Sequence, residues 1–139
     1  MEISFTIPGE PCAKGRPRFS GCGPYVKTYT PEKTTNFETL VKYEYYNQCG
    51  NKRFVDDAQI AIDIIAYRSI PKSTSKKKRA LMCAEKVVPI TKPDWDNIGK
   101  IVSDALNGLA YRDDSQIADS RVRKMYSEEP RTEVRIWEF

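Results

Sequence analysis

Residues 92–114 read K-P-D-W-D-N-I-G-K-I-V-S-D-A-L-N-G-L-A-Y-R-D-D, and they carry the strongest structural signal in this 139-residue chain. Apolar side chains recur at helical spacing between Ile98 and Leu109, which predicts a helix over about residues 96–107 with one face in the core. Gly108 stands where a glycine commonly ends a helix. The segment therefore predicts one amphipathic helix, with acidic residues both before and after it.

A polar stripe runs along this predicted helix, roughly opposite its apolar side. At about 100° per residue, the stripe contains Asp96, Lys100, Asp104 and Asn107. Pro93 disfavours helix just before it, so residues 94–96 are predicted to be extended. Asp94 and Asp96 would then point to the same side, and Trp95 would point away from them into the core. Asp113 and Asp114 open the next predicted strand, which can return beside the first two aspartates.

The remaining elements follow from periodicity and from turn residues. Residues 9–24, rich in glycine and proline, form a predicted loop. Strands are predicted over residues 2–8, 25–29, 58–68, 115–126 and 132–137, the last two as a terminal pair, and helices are predicted over 31–48 and 73–87. This order predicts a single α+β domain over residues 1–139, in which a mixed or antiparallel β-sheet packs against helices.

The composition excludes several classes of protein. The chain is 40% hydrophobic and 30% charged, as in globular proteins. No apolar run approaches the roughly 18 residues of a transmembrane helix, so we expect a cytoplasmic protein with no membrane partner. The chain has no histidine, which excludes Ser-His-Asp and Cys-His catalysis and histidine-bound zinc. Hydrolysis would have to use carboxylates, lysine and a bound cation, with no organic cofactor.

The charge distribution points to a metal and to nucleic acid. Residues 94–119 contain six aspartates against Lys100 and Arg112, a net charge of −4. The whole chain carries +4, so the rest carries +8. Each acidic feature alone fits an ordinary helix start, an Asp–Lys pair or a solvated turn. Together they favour a site for Mg²⁺, or Mn²⁺ as a substitute, because these ions prefer carboxylate and water ligands.

Two basic segments are candidate DNA contacts. The first is on the glycine- and proline-rich loop and contains Lys14, Arg16 and Arg18. The second is the continuous run Lys76, Lys77, Lys78 and Arg79. Lysine and arginine side chains on a DNA-binding surface neutralise phosphates. A solvated loop and a solvated helix face remain the alternatives for these two segments. For Trp95, stacking on a base remains the alternative to packing in the core.

At this level of detail the sequence resembles a known family. The pattern K-P-D-W-D-N-x-x-K, then D-A-L-N-G, then Y-R-D-D-S-Q-I, is similar to the RusA family of Holliday-junction resolvases. The N-terminal P-G-E-P-C-A-K-G-R-P-R-F resembles phage or prophage members of that family. The resemblance implies a RusA-like fold and a Mg²⁺-dependent endodeoxyribonuclease. Such an enzyme acts as a homodimer and resolves four-way DNA junctions by paired symmetric nicks during recombination and repair.

The resemblance also implies roles for individual residues. The catalytic residues would be Asp94, Asp96, Lys100 and Asp114, with the three aspartates binding metal. Asp104 and Asp113 are further candidate metal ligands. One alternative is a non-catalytic protein that binds branched DNA and uses the carboxylates for a structural cation. Another is a metal-dependent enzyme for small phosphorylated substrates, against which stand the +8 charge and the lack of a glycine-rich phosphate loop.

Overall fold

A computed structural model describes residues 1–14, 18–20, 27–29 and 32–139. Residues 18–20 and 27–29 are described by their backbone alone. Of the predicted DNA contacts, Arg16 and the side chain of Arg18 therefore lie outside the described part. The same holds for Thr30 and Pro31, the predicted start of the first helix.

The strands and helices alternate in nearly the predicted order. The strands are β1 (Glu2–Pro8), β2 (Arg18–Ser20), β3 (Lys27–Tyr29), β4 (Ile60–Ser69), β5 (Ile117–Ser127) and β6 (Arg131–Glu138). The helices are α1 (Glu32–Cys49), α2 (Lys76–Cys83) and α3 (Trp95–Ala105), and a 3₁₀ turn covers Asp114–Gln116. The short strand β2 falls inside the predicted loop and pairs antiparallel with β3.

The main sheet has four strands in the order β1-β6-β4-β5. β6 is antiparallel to both of its neighbours, whereas β4 and β5 run parallel. The predicted α+β class with a mixed sheet is therefore confirmed. The last two strands were predicted as a terminal pair, but β4 lies between them. Because β4 and β5 are parallel, a long crossover containing α2 and α3 joins them.

The core lies between one face of this sheet and the helices. α1 packs against β1 and α3, and α3 packs against β5. The core side chains include Ile3, Phe5, Phe37, Val41, Tyr45, Ile62, Ile64, Ile98, Ile101 and Val102. α3 approaches β5 closely at Gly99, where an added Cβ would lie 3.2 Å from Val122 Cγ2. This close approach sets the floor of the cleft described below.

At the outer edge of β1, the side chain of Gln48 is bonded to the backbone of Thr6. The Gln48 amide nitrogen donates to the carbonyl oxygen of Thr6 at 2.7 Å. The Thr6 backbone N–H in turn donates to Gln48 Oε1 at 2.9 Å. Gln48 on α1 thus hydrogen-bonds both backbone groups of Thr6 that point away from β6.

Three predicted details differ from the structure. The helix predicted over residues 73–87 is shorter, since Ser75 Oγ accepts from the Lys78 N–H and caps α2. The segment 114–116, predicted to start a strand, forms the 3₁₀ turn instead. Leu109, predicted to belong to the apolar face of α3, is 38% exposed because α3 ends at Ala105. In the described residues no helix is long and apolar enough to cross a bilayer.

Candidate active site

A cleft of about 300 Å³ lies between α3 and the β4–β5 half of the sheet. α3 contributes Asp96 and Lys100 of the polar stripe, and the 3₁₀ turn contributes Asp114. The lining comprises Trp95, Asp96, Gly99, Lys100, Ser103, Asp114 and Ser120 over the apolar Ile62, Ile64, Ile117 and Val122. Three of the four predicted catalytic residues, Asp96, Lys100 and Asp114, therefore line the same cleft.

Asp114 and Asp104 bring two carboxylates into contact. Their side chains lie within hydrogen-bonding reach of each other. Burial raises the pKa of Asp114, and the hydrogen bond and negative charge of Asp104 raise it further, while Lys100 partly opposes the shift. Two acids this close resist simultaneous ionisation unless a cation lies nearby.

The turn after α3 places Asp114 beside the helix. The Asp114 backbone N–H donates to Asn107 Oδ1 at 2.8 Å. Tyr111 is fully buried and its hydroxyl donates to the Ser103 carbonyl oxygen at 2.7 Å. Burial, together with the nearby carboxylates of Asp114 and Asp104, raises the pKa of Tyr111. Asn107 thus anchors the segment that contains Asp114, and the buried Tyr111 holds the turn against α3.

Lys14 lies behind the carboxylate pair. Its Nζ is 2.5 Å from Glu38 Oε1 and 3.5 Å from Asp104 Oδ2, and its backbone N–H donates to the Asn97 carbonyl oxygen. Burial opposes the positive charge, but the hydrogen bond and charge of Glu38, with the charge of Asp104, outweigh it and raise the pKa of Lys14. This placement favours a positioning role for Lys14 over the predicted phosphate contact.

Glu38 and Tyr111 are site residues that the sequence did not indicate. Glu38 is 24 residues from Lys14 along the chain, and it does not belong to an acidic cluster. Tyr111 follows the predicted helix without a periodic pattern of its own. It is the first residue of the pattern Y-R-D-D-S-Q-I, which marks its position but not its role.

We expect Lys14→Met to lower DNA cleavage by about 10- to 100-fold, as for other residues that orient a reactive group through a second side chain. The reason is that Asp104 loses a cation at 3.5 Å and is left beside Asp114. The salt dependence of DNA binding should stay unchanged, measured as the slope of log Kd against log salt concentration. A flatter slope would show that Lys14 contacts phosphate instead. Lys14→Arg, which keeps the charge, is the matched control.

Lys100 lies farther out than Lys14 and faces the cleft. Its side chain is 61% exposed, and its Nζ is 3.7 Å from Asp104 Oδ2. An exposed pair one helical turn apart is worth only about 0.3–0.5 kcal/mol. The Lys100 ammonium is therefore held loosely and can move to an anion that enters the cleft.

The other two predicted aspartates are placed differently. Asp94 is exposed, precedes the first residue of α3, and does not line the cleft. Asp113 caps the 3₁₀ turn: its carboxylate accepts from the Ser115 N–H, and its own N–H donates to Gln116 Oε1. The hydrogen bonds from Ser115 lower the pKa of Asp113. Asp113 therefore has a structural role that accounts for its charge and position.

Trp95 was predicted to pack in the core and to point away from Asp96, and this is wrong. The indole is 65% exposed and lines the cleft together with Asp96. The reason is that α3 begins at Trp95, so residues 94–96 are not extended as a unit. Adjacent residues on a helix are about 100° apart, and both can border one cleft.

The predicted convergence of three or four carboxylates is only partly seen. Among the described residues, no three Asp, Glu or Cys side chains lie together as a ready cation site. Asp104 and Asp114 meet, and Asp96 borders the same cleft as Asp114. The structure thus assembles one acidic pair with a third carboxylate on the same cleft.

The four basic side chains of α2 do not all make the same contacts. Lys76, Lys77 and Lys78 are exposed. Arg79 instead donates to Glu128 Oε1 at 2.8 Å, which ties α2 to the segment after β5. Three of the four predicted DNA contacts of this run therefore face solvent, and the fourth has an acidic partner in the protein.

Comparison of the sequence with known proteins gives the family of this chain. A family model described as endodeoxyribonuclease RusA matches residues 8–137, nearly the whole chain. The chain belongs to the RusA family. It is also 44% identical over 138 residues to "Uncharacterized protein YqaN" of Bacillus subtilis (strain 168), a match that covers 98% of this chain and 96% of that protein. The resemblance seen in the sequence is confirmed, and membership of an endodeoxyribonuclease family supports nuclease activity.

Proposed function

We propose that this RusA-family protein is a Mg²⁺-dependent endonuclease that resolves four-way DNA junctions in recombination and repair. The observation that carries the proposal is the cleft between α3 and β5. Carboxylates and a lysine that match the family pattern border it, within a chain that the family model matches almost end to end.

The donor set fits a hard divalent cation. Asp96 and Asp114 border the cleft, Asp104 contacts Asp114, and all of them offer carboxylate oxygen. The crowding that raises the pKa of Asp114 is relieved when a cation is bound. Asp94, one residue before the cleft wall, is a further proposed ligand on the family pattern. When bound, Mg²⁺ supplies Lewis-acid activation of the scissile phosphate and of the attacking water.

The protein's own residues hold and orient the reacting groups. Asp96 and Asp114 both border the cleft, and through a bound cation they would hold a phosphodiester there. The mobile Lys100 ammonium stabilises the negative charge that develops on the phosphate oxygens. Lys14 and Glu38 keep Asp104 in place from behind. Bound DNA would cover the apolar floor beneath the carboxylates and displace water, which strengthens these charge interactions.

Paired cleavage requires two copies of this cleft. A two-fold homodimer presents two identical sites to a junction that itself has approximate two-fold symmetry. The exposed Lys76, Lys77 and Lys78 are proposed to contact phosphates of the arms, since none of them forms an ion pair within the described part of the chain.

Cleavage of a labelled four-way junction beside a linear duplex tests the proposal. Paired nicks in the junction are expected in millimolar Mg²⁺. No nicks are expected in EDTA or with the Asp96→Asn variant. Junction binding without nicking, in Mg²⁺ and in Mn²⁺, would instead support a non-catalytic junction-binding protein. Sedimentation of the protein alone should give twice the 16.0 kDa mass of one chain.

A further inference from the structure

Trp95 is a large apolar side chain left in solvent at the mouth of the candidate active site. Its indole is 65% exposed, although position 95 falls on the same helical stripe as the buried Ile98 and Val102. Burial of an indole is strongly favourable, so an exposed one beside functional residues is informative. In the cleft it adjoins Asp96 and Lys100.

The backbone that leads to Trp95 is held by hydrogen bonds from two neighbouring strands. Arg68 Nη1 donates to Thr91 Oγ1 at 2.9 Å and to the Lys92 carbonyl oxygen at 3.0 Å. Lys124 Nζ donates to the Thr91 carbonyl oxygen at 2.6 Å. Arg68 lies on β4 and Lys124 on β5, so the approach to α3 is held against the sheet. The indole is therefore presented by an ordered support, which reduces the entropy lost when a ligand binds.

The cleft combines two kinds of surface. Its carboxylates and Lys100 suit a phosphate with a cation, whereas Trp95 and the apolar floor suit a flat, weakly polar group. A nucleotide contains both, with its base and its phosphate a few bonds apart. Inside a duplex, both faces of each base are covered by neighbouring bases. A base with one free face occurs where stacking is interrupted, as at a branch point.

We propose that Trp95 stacks on a nucleobase whose face is free at the branch point, next to the scissile phosphate, and thereby positions that phosphate at Asp96, Lys100 and Asp114. This inference rests on the proposed nuclease function and adds a specificity-determining contact to it. Stacking on an aromatic side chain does not depend on base identity, since every base has a π-face. The contact therefore selects for interrupted stacking, that is, for branched over linear DNA.

Binding in EDTA tests this contact without cleavage. The probe is a four-way junction with 2-aminopurine at the branch point, compared with a linear duplex of the same sequence. Trp95→Ala should raise the Kd for the junction by about 10- to 100-fold and remove the quenching of 2-aminopurine. The Kd for the duplex should change less than about twofold. Trp95→Phe, which keeps an aromatic face, should recover most of the affinity.

Tyr46→Ala is the matched control, because Tyr46 is an aromatic residue 69% exposed on α1 that does not line the cleft. It should bind the junction like wild type. A Trp137→Phe background leaves Trp95 as the remaining tryptophan, so its own fluorescence reports the contact. Thermal unfolding of each variant shows whether the fold is intact.

Several results would overturn the proposal. Unchanged junction affinity and quenching in Trp95→Ala would do so, and so would an equal loss on junction and duplex. Fluorescence of Trp95 that changes with protein concentration in the absence of DNA would show that a second copy of the chain covers the indole instead. The outcome is separable from the proposed activity. If wild type shows the stacking contact but never nicks DNA, the nuclease function is refuted. If the Trp95→Ala variant nicks junctions normally, the stacking contact is refuted.

Discussion

Replacement of Asp114 by asparagine is expected to reduce cleavage of a four-way junction by about 10³-fold, with junction binding in EDTA retained. Asparagine has nearly the same shape and can keep the contact with Asp104, but it removes the charge that a cation requires. Its backbone N–H can still donate to Asn107 Oδ1, so the turn should stay in place. Single-turnover cleavage with saturating enzyme measures the effect on chemistry apart from binding.

The adjacent Asp113 offers a matched control. It has the same side chain, lies one residue away, and caps the 3₁₀ turn instead of lining the cleft. Asparagine is also a good capping residue, so Asp113→Asn should cleave within about threefold of wild type and unfold at nearly the same temperature. Equal losses in the two variants would contradict the assignment of Asp114 as the carboxylate that acts in the cleft.

The second large effect concerns stability without metal. Burial and Asp104 raise the pKa of Asp114 above its ordinary value of 3.8, so the folded protein binds this proton more tightly than the unfolded chain does. The free energy of unfolding therefore falls as pH rises from 3.8 through the raised pKa, and the deficit persists at neutral pH. Asp114→Asn should consequently unfold at a higher temperature than wild type in EDTA at pH 7. The difference should vanish below about pH 3.8, where both proteins are neutral at this position.

Addition of Mg²⁺ should reverse that order. A ligand that binds only the folded state stabilises it by about 2.7 kcal/mol at 100 times its Kd. Wild type should therefore gain several degrees in its unfolding temperature, and Asp114→Asn should gain much less. Calorimetry or fluorescence unfolding at matched Mg²⁺ and Ca²⁺ concentrations measures this. Wild type that is more stable than the variant in EDTA would show that the carboxylate pair is not under repulsion.

The spacing of apolar residues along the sequence predicted the buried faces of individual helices and strands. The apolar periodicity of α3 and the alternation of β1 and β4 mark their buried faces directly. The polar stripe on α3 was also predicted correctly, because a helix keeps a fixed angle between residues. Its last member, Asn107, proved to hold Asp114, the predicted partner from the next segment.

The features that the sequence missed depend on contacts between distant segments or on a shift of one residue. Insertion of β6 beside β4 is a property of the whole sheet, and no pattern within β5 or β6 encodes it. The pairing of Lys14 with Glu38 and Asp104 joins three segments far apart in the chain. The orientation of Trp95 depended on whether α3 begins at residue 95 or 96. Each of these needs the packed structure, because tertiary contacts decide among locally equivalent choices.

The amide of Gln48 on Thr6 has a consequence for behaviour at high concentration. Exposed strand edges invite chains to join edge to edge and grow into aggregates. At β1 that growth would first have to displace a side chain already bonded to both backbone groups of Thr6. At Thr6, Gln48 thus occupies the positions that a further strand would bond, which disfavours fibrillar self-association through this edge.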